Sequence, residues 1–381
     1  MKTHPWFEQW RVGPEWASHD EAIWNTGRVT LSRGEYWFFL FNSLQDQHKK
    51  VHVLINKLGK RHWHNKQLIR YERVSDTEWR NNSTVWYYLG GEVRELFTGM
   101  AHSRLVPPNR IETEHPSGFR VAAWGSFPDY SLTIHRGDEE IGRFECHGTA
   151  PTEFVQAPNL QMRSLEGRSA DRTVFAKLDR VSQPPYCATN CCDFFVPYKG
   201  RFMGEAFEGQ VWVERARSFG LPPNWILLWL AFDDRSRLWM RKFTGKINHY
   251  DPLSFYFDDE RARRRYAFDR IEFRYLTGYN VGPHASIRDD SEYVSMSGRG
   301  PDGEMRVLCE LKGQYLHRYT SYKYESRYYQ TVLDPVEFEL RGADGRVADL
   351  NNWRRAVGYG EETYKKKWRE TIMADLDDRP G

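Results

Sequence analysis

The sequence has little excess charge and few features of membrane or nucleic-acid-binding proteins. Its 381 residues carry 55 basic and 52 acidic side chains, a net charge of +3. So small an excess does not attract nucleic acid or an anionic membrane surface. The longest apolar run, Trp225 to Phe232, is far shorter than the roughly 20 residues of a membrane-spanning helix. The first eight residues lack the apolar segment of a signal peptide. We predict a soluble, cytoplasmic protein with no nucleic-acid partner and no integral membrane segment.

Cysteine is scarce, and metal-binding patterns are incomplete. The five cysteines include a cluster at Cys187, Cys191 and Cys192, which could supply zinc ligands or a redox pair. No second CxxC or HxxxH motif completes a four-ligand site nearby. His62 and His64 would share one face of a strand, but no third ligand follows at a suitable spacing. We therefore expect reduced thiols, an exposed polar face at the two histidines, and no metal.

Signature motifs of cofactor-dependent and hydrolytic enzymes are also missing. The chain contains no GxGxxG that opens a helix, no P-loop, no GxSxG and no HExxH. We therefore expect no nucleotide cofactor, and no other cofactor is indicated. The oligomeric state is not indicated by any pattern.

Aromatic residues and strand patterns, by contrast, are abundant. The chain has 15 Trp, 21 Tyr and 22 Phe, and β-branched and aromatic runs alternate with Gly, Asn and Asp turns. In the first half, the patterns predict strands at Gly34–Asn42, Val51–Leu58, Ser83–Leu89, Phe119–Trp124, Ser131–His135 and Glu140–Glu145. In the second half, they predict strands at Glu208–Arg215, Trp225–Phe232, Arg237–Phe243, Asp269–Leu276, Tyr293–Ser297, Met305–Leu311, Gln314–Tyr322 and Val336–Leu340.

Many short strands with regular turns indicate an all-β fold of two consecutive antiparallel β-barrels. We place the first barrel at residues 1–150 and a Pro- and Cys-containing connection at 151–200. The second barrel then covers 201–345. Residues 346–381 form a short C-terminal helical tail, which Gly358 and Gly360 divide into two pieces.

One strand of the second half carries a candidate catalytic acid. Alternation places Gln210, Trp212 and Glu214 on one face, and Val211 and Val213 on the other. If the first face lines a barrel, burial beside the indole would raise the pKa of Glu214, as a general acid requires. Alternatively, the two valines face the core and Glu214 pairs with an arginine at the surface. Alternation alone leaves both open.

Other strands combine aromatic and polar residues on one face. Tyr315, His317 and Tyr319 share a face, and so do Trp86 and Tyr88. Trp229 lies in the apolar run. In the strand at 269–276, alternation places Tyr275 on the face opposite Glu272 and Arg274. Tyrosine and tryptophan combine an apolar body with a polar tip, which suits a pocket for a hydrophobic ligand, but they also fill ordinary barrel cores.

The segment from Gly209 through Trp212, Glu214 and Gly220 to the Trp225 strand and Asp233-Asp234 resembles the second half of AttH / carotenoid 1,2-hydratase-like proteins. In the first half, Glu78-Trp79 and Trp86 to Gly90 are similar to the Glu-Trp-Trp-Tyr-x-x-Gly pattern of the same group. The resemblance covers about residues 15–345. It implies two consecutive lipocalin-like, calycin-type barrels.

The resemblance carries Glu214 over as a candidate acid. Hydratase-like members follow this acid with His-Gln-Trp-Gly, whereas here Arg215 to Gly220 read Arg-Ala-Arg-Ser-Phe-Gly. The matching imidazole is missing, which argues against carotenoid hydration. The fold also resembles calycin-like cyclases, including cofactor-free Diels–Alder enzymes, which act largely by proximity and orientation.

Three functions follow from these patterns. The first is a cofactor-independent cyclase, hydratase or isomerase for a terpenoid or polyene-like molecule, with Glu214 as its acid. Its pocket would be lined by Trp212, Trp229, Tyr88, Trp86, Tyr275, His317 and Tyr319. The second is a non-catalytic carrier of a hydrophobic ligand. The third is a scaffold whose barrels are filled by their own side chains.

Overall fold

The computed structural model describes residues 11–12, 33–45, 49–58, 61–126, 129–148, 152–156, 188–219, 224–244, 255–277, 280–281, 291–320 and 324–367. Within this part of the chain, no helix is long and apolar enough to cross a membrane.

The chain forms strands throughout the described residues. The first fifteen are β1 (Arg11–Val12), β2 (Arg33–Ser43), β3 (Lys50–Leu58), β4 (His62–His64), β5 (Gln67–Ile69), β6 (Glu72–Arg73), β7 (Glu78–Leu89), β8 (Glu92–Val106), β9 (Arg110–Glu114), β10 (Phe119–Ser126), β11 (Asp129–Arg136), β12 (Glu139–His147), β13 (Thr152–Gln156), β14 (Ala188–Phe202) and β15 (Glu205–Phe219). The next eleven are β16 (Asn224–Phe232), β17 (Arg237–Thr244), β18 (Phe255–Asp259), β19 (Arg264–Ala267), β20 (Arg270–Thr277), β21 (Asn280–Val281), β22 (Tyr293–Gly300), β23 (Gly303–Thr320), β24 (Tyr324–Gly342), β25 (Val347–Asp349) and β26 (Ala356–Lys367). A 3₁₀ turn covers Leu350–Asn352.

The first sheet closes into a barrel of 10 strands. Its neighbours run β14-β12-β11-β10-β9-β8-β7-β3-β2-β15, and β15 pairs with β14 to complete the ring. Inside the barrel, one alternating face of each strand builds an apolar core that contains Trp37, Phe39 and Phe41 from β2 and Val211 and Val213 from β15. The period of two along each strand therefore places every second residue inside the barrel.

The second sheet follows the order β19-β18-β17-β16-β26-β24-β23-β22-β20-β21. It encloses its own apolar core, which includes Leu228, Leu230 and Phe232 from β16. The hairpin β4–β5, which precedes most of the barrel in the chain, pairs with β23 of this second sheet through His64 and Tyr319. This hairpin follows β3 of the barrel in the chain and thereby adds a segment from the first half to the second sheet.

The predicted all-β class is confirmed, and the first barrel is closed. The predicted helical tail over 346–381 is wrong as far as the structure describes it, because Val347–Asp349 and Ala356–Lys367 are strands. Strand β26 lies between β16 and β24, so both of its edges are hydrogen-bonded within the sheet. The rest of the tail, residues 368–381, lies outside the described residues.

Strand pairing divides the chain differently from the predicted boundaries at 150, 200 and 345. The strand at Glu208–Arg215 was expected in the second half, yet β15 pairs with β2 and β14 of the first barrel. The partner β2 is far away in the sequence, and a strand pattern does not reveal its partner. By hydrogen bonding, residues 188–219 belong to the first sheet.

Two glycines in β26 allow the strand to pass close to the second core. A Cβ atom added to Gly358 would lie 2.7 Å from Leu230 Cδ2 and 2.9 Å from Leu333 Cβ. At Gly360, the nearest atom would be Leu333 Cδ1, the end of a flexible side chain, at 3.2 Å.

Gly358→Ala should therefore lower the free energy of unfolding by about 1–3 kcal/mol, because it overpacks a filled core. Gly360→Ala is the matched control and should cost clearly less, since Leu333 can move its terminal methyl group. Denaturant unfolding followed by tryptophan fluorescence measures both. Equal losses for the two variants would contradict this packing.

Candidate active site between the barrel and the second sheet

Between the barrel and the second sheet lies a third group of buried residues, which we call the inter-sheet cluster. The barrel contributes Phe38, Leu40, Leu54, Trp86, Tyr88, Phe195 and Trp212, and the second sheet contributes Leu227, Trp229, Ala231, Trp239, Tyr256, Tyr315, Val332, Val357 and Tyr359. These are the residues on the outward face of each strand, opposite the two cores.

Trp212 lies at the centre of the inter-sheet cluster. Its ring centroid is 4.7 Å from that of Phe38 in the barrel. Across the junction it is 5.7 Å from Trp239 and 5.9 Å from Tyr359, both at steep interplanar angles. Edge-to-face contacts of this kind add to the free energy gained by burying the rings.

Of the two alternatives for the Glu214 strand, the second is right about which face fills the barrel. Val211 and Val213 do face the barrel core. The opposite face, with Gln210, Trp212 and Glu214, does not face open solvent, because the second sheet covers it. Glu214 is half-buried, and its Oε1 accepts a hydrogen bond from the hydroxyl of Tyr36.

Four half-buried side chains lie at the edge of the inter-sheet cluster, next to Glu214, and we call them the rim. They are Tyr36 and Glu214 from the barrel, and Trp225 and Tyr328 from the second sheet. The rings of Trp225 and Tyr328 are 5.7 Å apart. Burial raises the pKa of the Tyr328 hydroxyl most, Glu361 raises it further, and the charge of Glu214 adds a smaller contribution. Both sheets thus contribute to one partly open edge.

Beneath the rim lies a buried carboxyl group, Glu361 of β26, which is only 5% exposed. Its Oε1 accepts hydrogen bonds from the hydroxyls of Tyr328 and, at 2.8 Å, of Tyr359. Its Oε2 accepts one from Nε1 of Trp225 at 3.2 Å. Burial raises the pKa of Glu361 above its ordinary value of 4.5, and the hydrogen bonds from these donors oppose that rise.

Gln330 of β24 links this carboxyl region to the barrel. Its Oε1 accepts hydrogen bonds from Nε1 of Trp86 at 2.6 Å and from Nε2 of His317 at 2.8 Å. Its Nε2 donates to the hydroxyl oxygen of Tyr328 at 2.9 Å and to Nε2 of His52 at 3.1 Å. One buried amide therefore ties three aromatic or imidazole groups to the tyrosine that holds Glu361.

The hydrogen bonds continue through a second imidazole. Because Nε2 of His317 donates to Gln330, Nδ1 of neutral His317 accepts, and Nε2 of His64 donates to it at 3.0 Å. Nδ1 of His64 then accepts in turn, and the amide of Asn82 lies 2.9 Å away. We therefore assign the NH₂ group of Asn82 toward this ring.

The three histidines are held neutral by burial. Desolvation lowers the pKa of His52 to about 3 and that of His64 to about 4, from 6.5. Burial, with a smaller effect from His64, lowers the pKa of His317 well below the ordinary value. At neutral pH these side chains act as hydrogen-bonding groups rather than as charges.

The structure brings most of the predicted pocket residues together. Trp86, Tyr88, Trp212 and Trp229 all belong to the inter-sheet cluster. His317 bonds to Gln330 beside them, and Tyr319 stacks on His64 with ring centroids 4.6 Å apart and on His317 at 5.8 Å.

Tyr275 does not join this group. It packs against the core of the second sheet, where its hydroxyl donates to Oε2 of Glu362 at 2.6 Å. Glu362 neighbours Glu361 in β26 and so points to the opposite face. The prediction that Tyr275 lines the same pocket as Trp212 is therefore wrong, because the two side chains lie on different faces of their sheets.

The expectation of an exposed polar face at His62 and His64 is also wrong. Both histidines are buried, whereas Trp63 between them is 47% exposed. The hairpin β4–β5 pairs with the second sheet and thereby covers the imidazoles.

Sequence reasoning missed Glu361, Gln330, His52 and Tyr328. The alternation of Lys50 and His52 with Val51 and Val53 in β3 is a signal for polar residues on one strand face. Glu361 was hidden by the helical interpretation of the tail. Gln330 and Tyr328 lie before the predicted strand at Val336–Leu340 and carried no strand assignment.

Within the described ranges, no group of three or more His, Cys, Asp or Glu side chains is arranged to hold a metal ion. Cys146 and Cys309 are buried free thiols in the two cores. Cys187 lies outside the described residues, and Cys191 and Cys192 lie in β14.

No family model matches the chain, and no curated protein sequence matches it. Solved structures that match the chain include CghA with Sch210972, at 8% identity over 89% of this chain and 90% of that chain, TM-score 0.46. Kievitone hydratase from Nectria haematococca has 9% identity over 91% and 93%, TM-score 0.41. A putative AttH from Nitrosomonas europaea has 11% identity over 87% and 92%, TM-score 0.37. One of these neighbours is thus named as a putative member of the group that the motifs resemble.

The buried histidines predict a loss of stability in acid. Each has a lower pKa in the folded than in the unfolded chain, so the unfolded chain binds more protons below pH 6.5. For His64, a shift from 6.5 to about 4 corresponds to about 3 kcal/mol lost by the time pH 4 is reached.

His64→Gln should therefore flatten the dependence of the unfolding free energy on pH between 6.5 and 4. The exposed His147 supplies the control, His147→Gln, which should leave the slope unchanged. Urea unfolding at a series of pH values measures the slopes. Identical slopes for His64→Gln and the unmodified protein would contradict a buried neutral imidazole at this position.

Proposed function

We propose that the chain is a cofactor-independent enzyme, a cyclase, hydratase or isomerase, for a hydrophobic terpenoid or polyene-like molecule. Its active site is the edge of the inter-sheet cluster at the rim. One observation carries this proposal: a buried carboxyl group, Glu361, lies under a half-buried rim that includes a second carboxyl group, Glu214. The aromatic side chains of the inter-sheet cluster pack between the barrel and the second sheet.

Glu361 is the better placed of the two carboxyl groups to donate a proton. Its burial favours the protonated form, which is the form that a general acid needs. Tyr328, a member of the rim, donates to Glu361 when that group is a carboxylate. When Glu361 is protonated, its hydroxyl donates to the oxygen of Tyr328 instead, and the proton of Tyr328 turns toward the partly open edge. Transfer of both protons in this direction carries a proton from the carboxyl group to the rim.

Glu214, the acid predicted from the sequence, is the second member of the pair. It is nearer to solvent, and Tyr36 orients it by a hydrogen bond. In a cyclisation or isomerisation, one group protonates the substrate and another removes a proton from the product. Two carboxyl groups at one edge, one buried and one half-buried, meet this requirement.

The aromatic residues supply shape and stabilise positive charge. Trp212, Trp229, Trp86 and Tyr88 present ring faces or edges in the inter-sheet cluster. The face of an indole attracts a developing cation, and a water-poor aromatic space limits its capture by solvent. On the side of the hairpin β4–β5, the rings of His317 and Tyr319 stack on each other, and Tyr319 also stacks on His64 of the hairpin.

The alternative is a non-catalytic carrier of a hydrophobic ligand. The donors around Glu361 favour it, because two hydroxyls and an indole N–H stabilise the ionised carboxylate and so oppose its action as a proton donor.

Native mass spectrometry with organic extraction of protein purified from its source cells separates the two functions. An enzyme should release a molecule that changes chemically when the protein is incubated with the extracted pool. A carrier should return the same molecule unaltered, and this result would contradict the catalytic proposal.

Glu361→Gln should lower turnover of that molecule by about 10²-fold or more, because the amide cannot donate the proton as an acid does. Turnover of the unmodified protein should fall as pH rises through the raised pKa of Glu361. This fall in turnover at higher pH should be absent from the profile of Glu361→Gln. Glu362→Gln is the matched control. It also removes a buried carboxyl group bonded to a tyrosine, but on the opposite face of β26.

Glu214→Gln should reduce turnover by a similar factor if Glu214 is the second proton-transfer group. Unchanged turnover in Glu214→Gln would contradict a proton-transfer role for Glu214. Equal losses in Glu361→Gln and Glu362→Gln would show a structural effect rather than acid catalysis at Glu361.

A further inference from the structure

The side-chain amide of Gln330 has a defined orientation. Its Oε1 accepts from Nε1 of Trp86, and an indole N–H can only donate, so the atom at this position is the amide oxygen. Nε2 therefore faces the other way, where it donates to the hydroxyl oxygen of Tyr328 at 2.9 Å and to Nε2 of His52 at 3.1 Å. Both amide hydrogens are used, and the side chain is 0% exposed.

The neighbouring rings hold the amide in this orientation. Nε2 of His317 donates to Oε1 at 2.8 Å, as the indole of Trp86 does. Burial lowers the pKa of His317 and of His52, so that both imidazoles are neutral at pH 7. Nε2 of neutral His52 is then an acceptor, and Trp86 stacks on its ring with centroids 5.2 Å apart. Reversing the amide would place its NH₂ group against two donors, which the orientation observed avoids.

The hydroxyl of Tyr328 is the group that this amide controls. Because its oxygen accepts from Gln330, its own proton points away from the amide. When Glu361 is a carboxylate, that proton is donated to Oε1 of Glu361. When Glu361 is protonated, the phenol oxygen receives hydrogen bonds from both Gln330 and Glu361, and the proton of Tyr328 is directed to the rim.

A phenol that gives up its proton in a buried place needs such donors. Negative charge develops on the oxygen of Tyr328 as the substrate takes the proton, and burial, which raises the pKa of Tyr328, makes this charge costly. An N–H group that already points at the oxygen stabilises the charge without reorganisation. As the O–H bond of Tyr328 breaks, the proton of Glu361 forms a new O–H bond on the same oxygen. Tyr328 is thereby restored, and Glu361 is left as a carboxylate.

From this arrangement we infer that Gln330 is a positioning residue for proton transfer, which directs the hydroxyl of Tyr328 between Glu361 and the rim and stabilises its oxygen while the proton passes. The inference rests on the proposed function and adds the residue that orients its proton path. It requires no contact between Gln330 and the substrate. In a purely structural role, Gln330 would only join the barrel to the second sheet through Trp86 and His52.

The protonation of Glu361 gives a readout that needs no substrate. Burial raises its pKa, and four hydrogen-bonding side chains oppose that rise: Tyr328, Tyr359, Trp225 and Gln330. Loss of Gln330 removes one of these effects and also releases the hydroxyl of Tyr328 from its orientation. Both changes raise the pKa of Glu361 further.

The other titratable groups near this carboxyl group are the same in every variant compared. Tyr359 bonds to Glu361 on β26, and Tyr319 of β23 lies close enough for the charge of Glu361 to help raise the pKa of its hydroxyl. From the barrel, the charge of Glu214 acts on Tyr328. A difference between variants at position 330 therefore reports the loss of the amide.

Infrared difference spectroscopy follows the C=O band of protonated Glu361, which Glu361→Gln removes and thereby assigns. In Gln330→Met, the band should persist to a pH about 1 unit higher than in the unmodified protein, because the carboxylate has lost hydrogen-bond support. His52→Phe is the matched control. It removes another hydrogen bond of the same buried amide but leaves the bond to Tyr328, so the band should titrate as in the unmodified protein.

Turnover of the molecule recovered from the source cells tests the catalytic part of the inference. Gln330→Met should lower turnover about tenfold or more, since it removes a donor to an oxygen that develops charge. Tyr328→Phe removes the hydroxyl through which Gln330 acts, so Gln330→Met should cause no further loss in the Tyr328→Phe background. A side chain that only joins the sheets would lower turnover by the same factor in both backgrounds, and this result would overturn the inference.

An unshifted band in Gln330→Met would also overturn the inference, and so would an equal shift in His52→Phe. If Gln330→Met does not fold, Gln330→Glu replaces it, because it keeps an oxygen for Trp86 and His317 and removes only the N–H groups. The band of Glu361, assigned with Glu361→Gln in that background, should shift in the same direction. A shift confined to the Gln330 variants, in a protein without any turnover, would support the orientation of Tyr328 by Gln330 while contradicting the proposed enzyme.

Discussion

The central strands of this protein are buried on both faces, and the rest of the structure depends on this constraint. Trp37 to Phe41 of β2 and Leu227 to Phe232 of β16 are buried without interruption. One face of each strand fills the core of its own sheet, and the other packs against the neighbouring sheet. The large number of aromatic residues follows, because wide rings fill both cores and the space between them. Trp212 contacts rings from both sheets and thereby fixes their approach.

A junction of this kind also restricts polar side chains. Any polar atom placed there loses water and must find a partner within the protein. Gln330 meets this requirement with four partners at once, including Trp86 and His52 of the barrel. The network can form only when the two sheets are in register. The proposed site therefore needs both sheets, since Glu361 belongs to the second sheet and Glu214 to the barrel.

Local patterns predicted the strands and the residues that share a face, because these depend only on the period of two along a strand. The separation of Val211 and Val213 from Trp212 and Glu214 is an example. Local patterns could not show that a second sheet covers the Trp212 face, since that depends on contacts between distant segments. For the same reason, the local pattern predicted an exposed face at His62 and His64, which the second sheet in fact covers. The glycines of β26 suggested a broken helix, although in the structure they permit close packing against Leu230 and Leu333.

The most direct measurement is a crystal structure of the protein with the apolar molecule that it carries from its source cells. We predict density for that molecule between the barrel and the second sheet, in contact with Trp212 and within hydrogen-bond reach of Glu361 or Tyr328. Density enclosed within the barrel core, among residues such as Trp37 and Phe39, would contradict a site between the sheets.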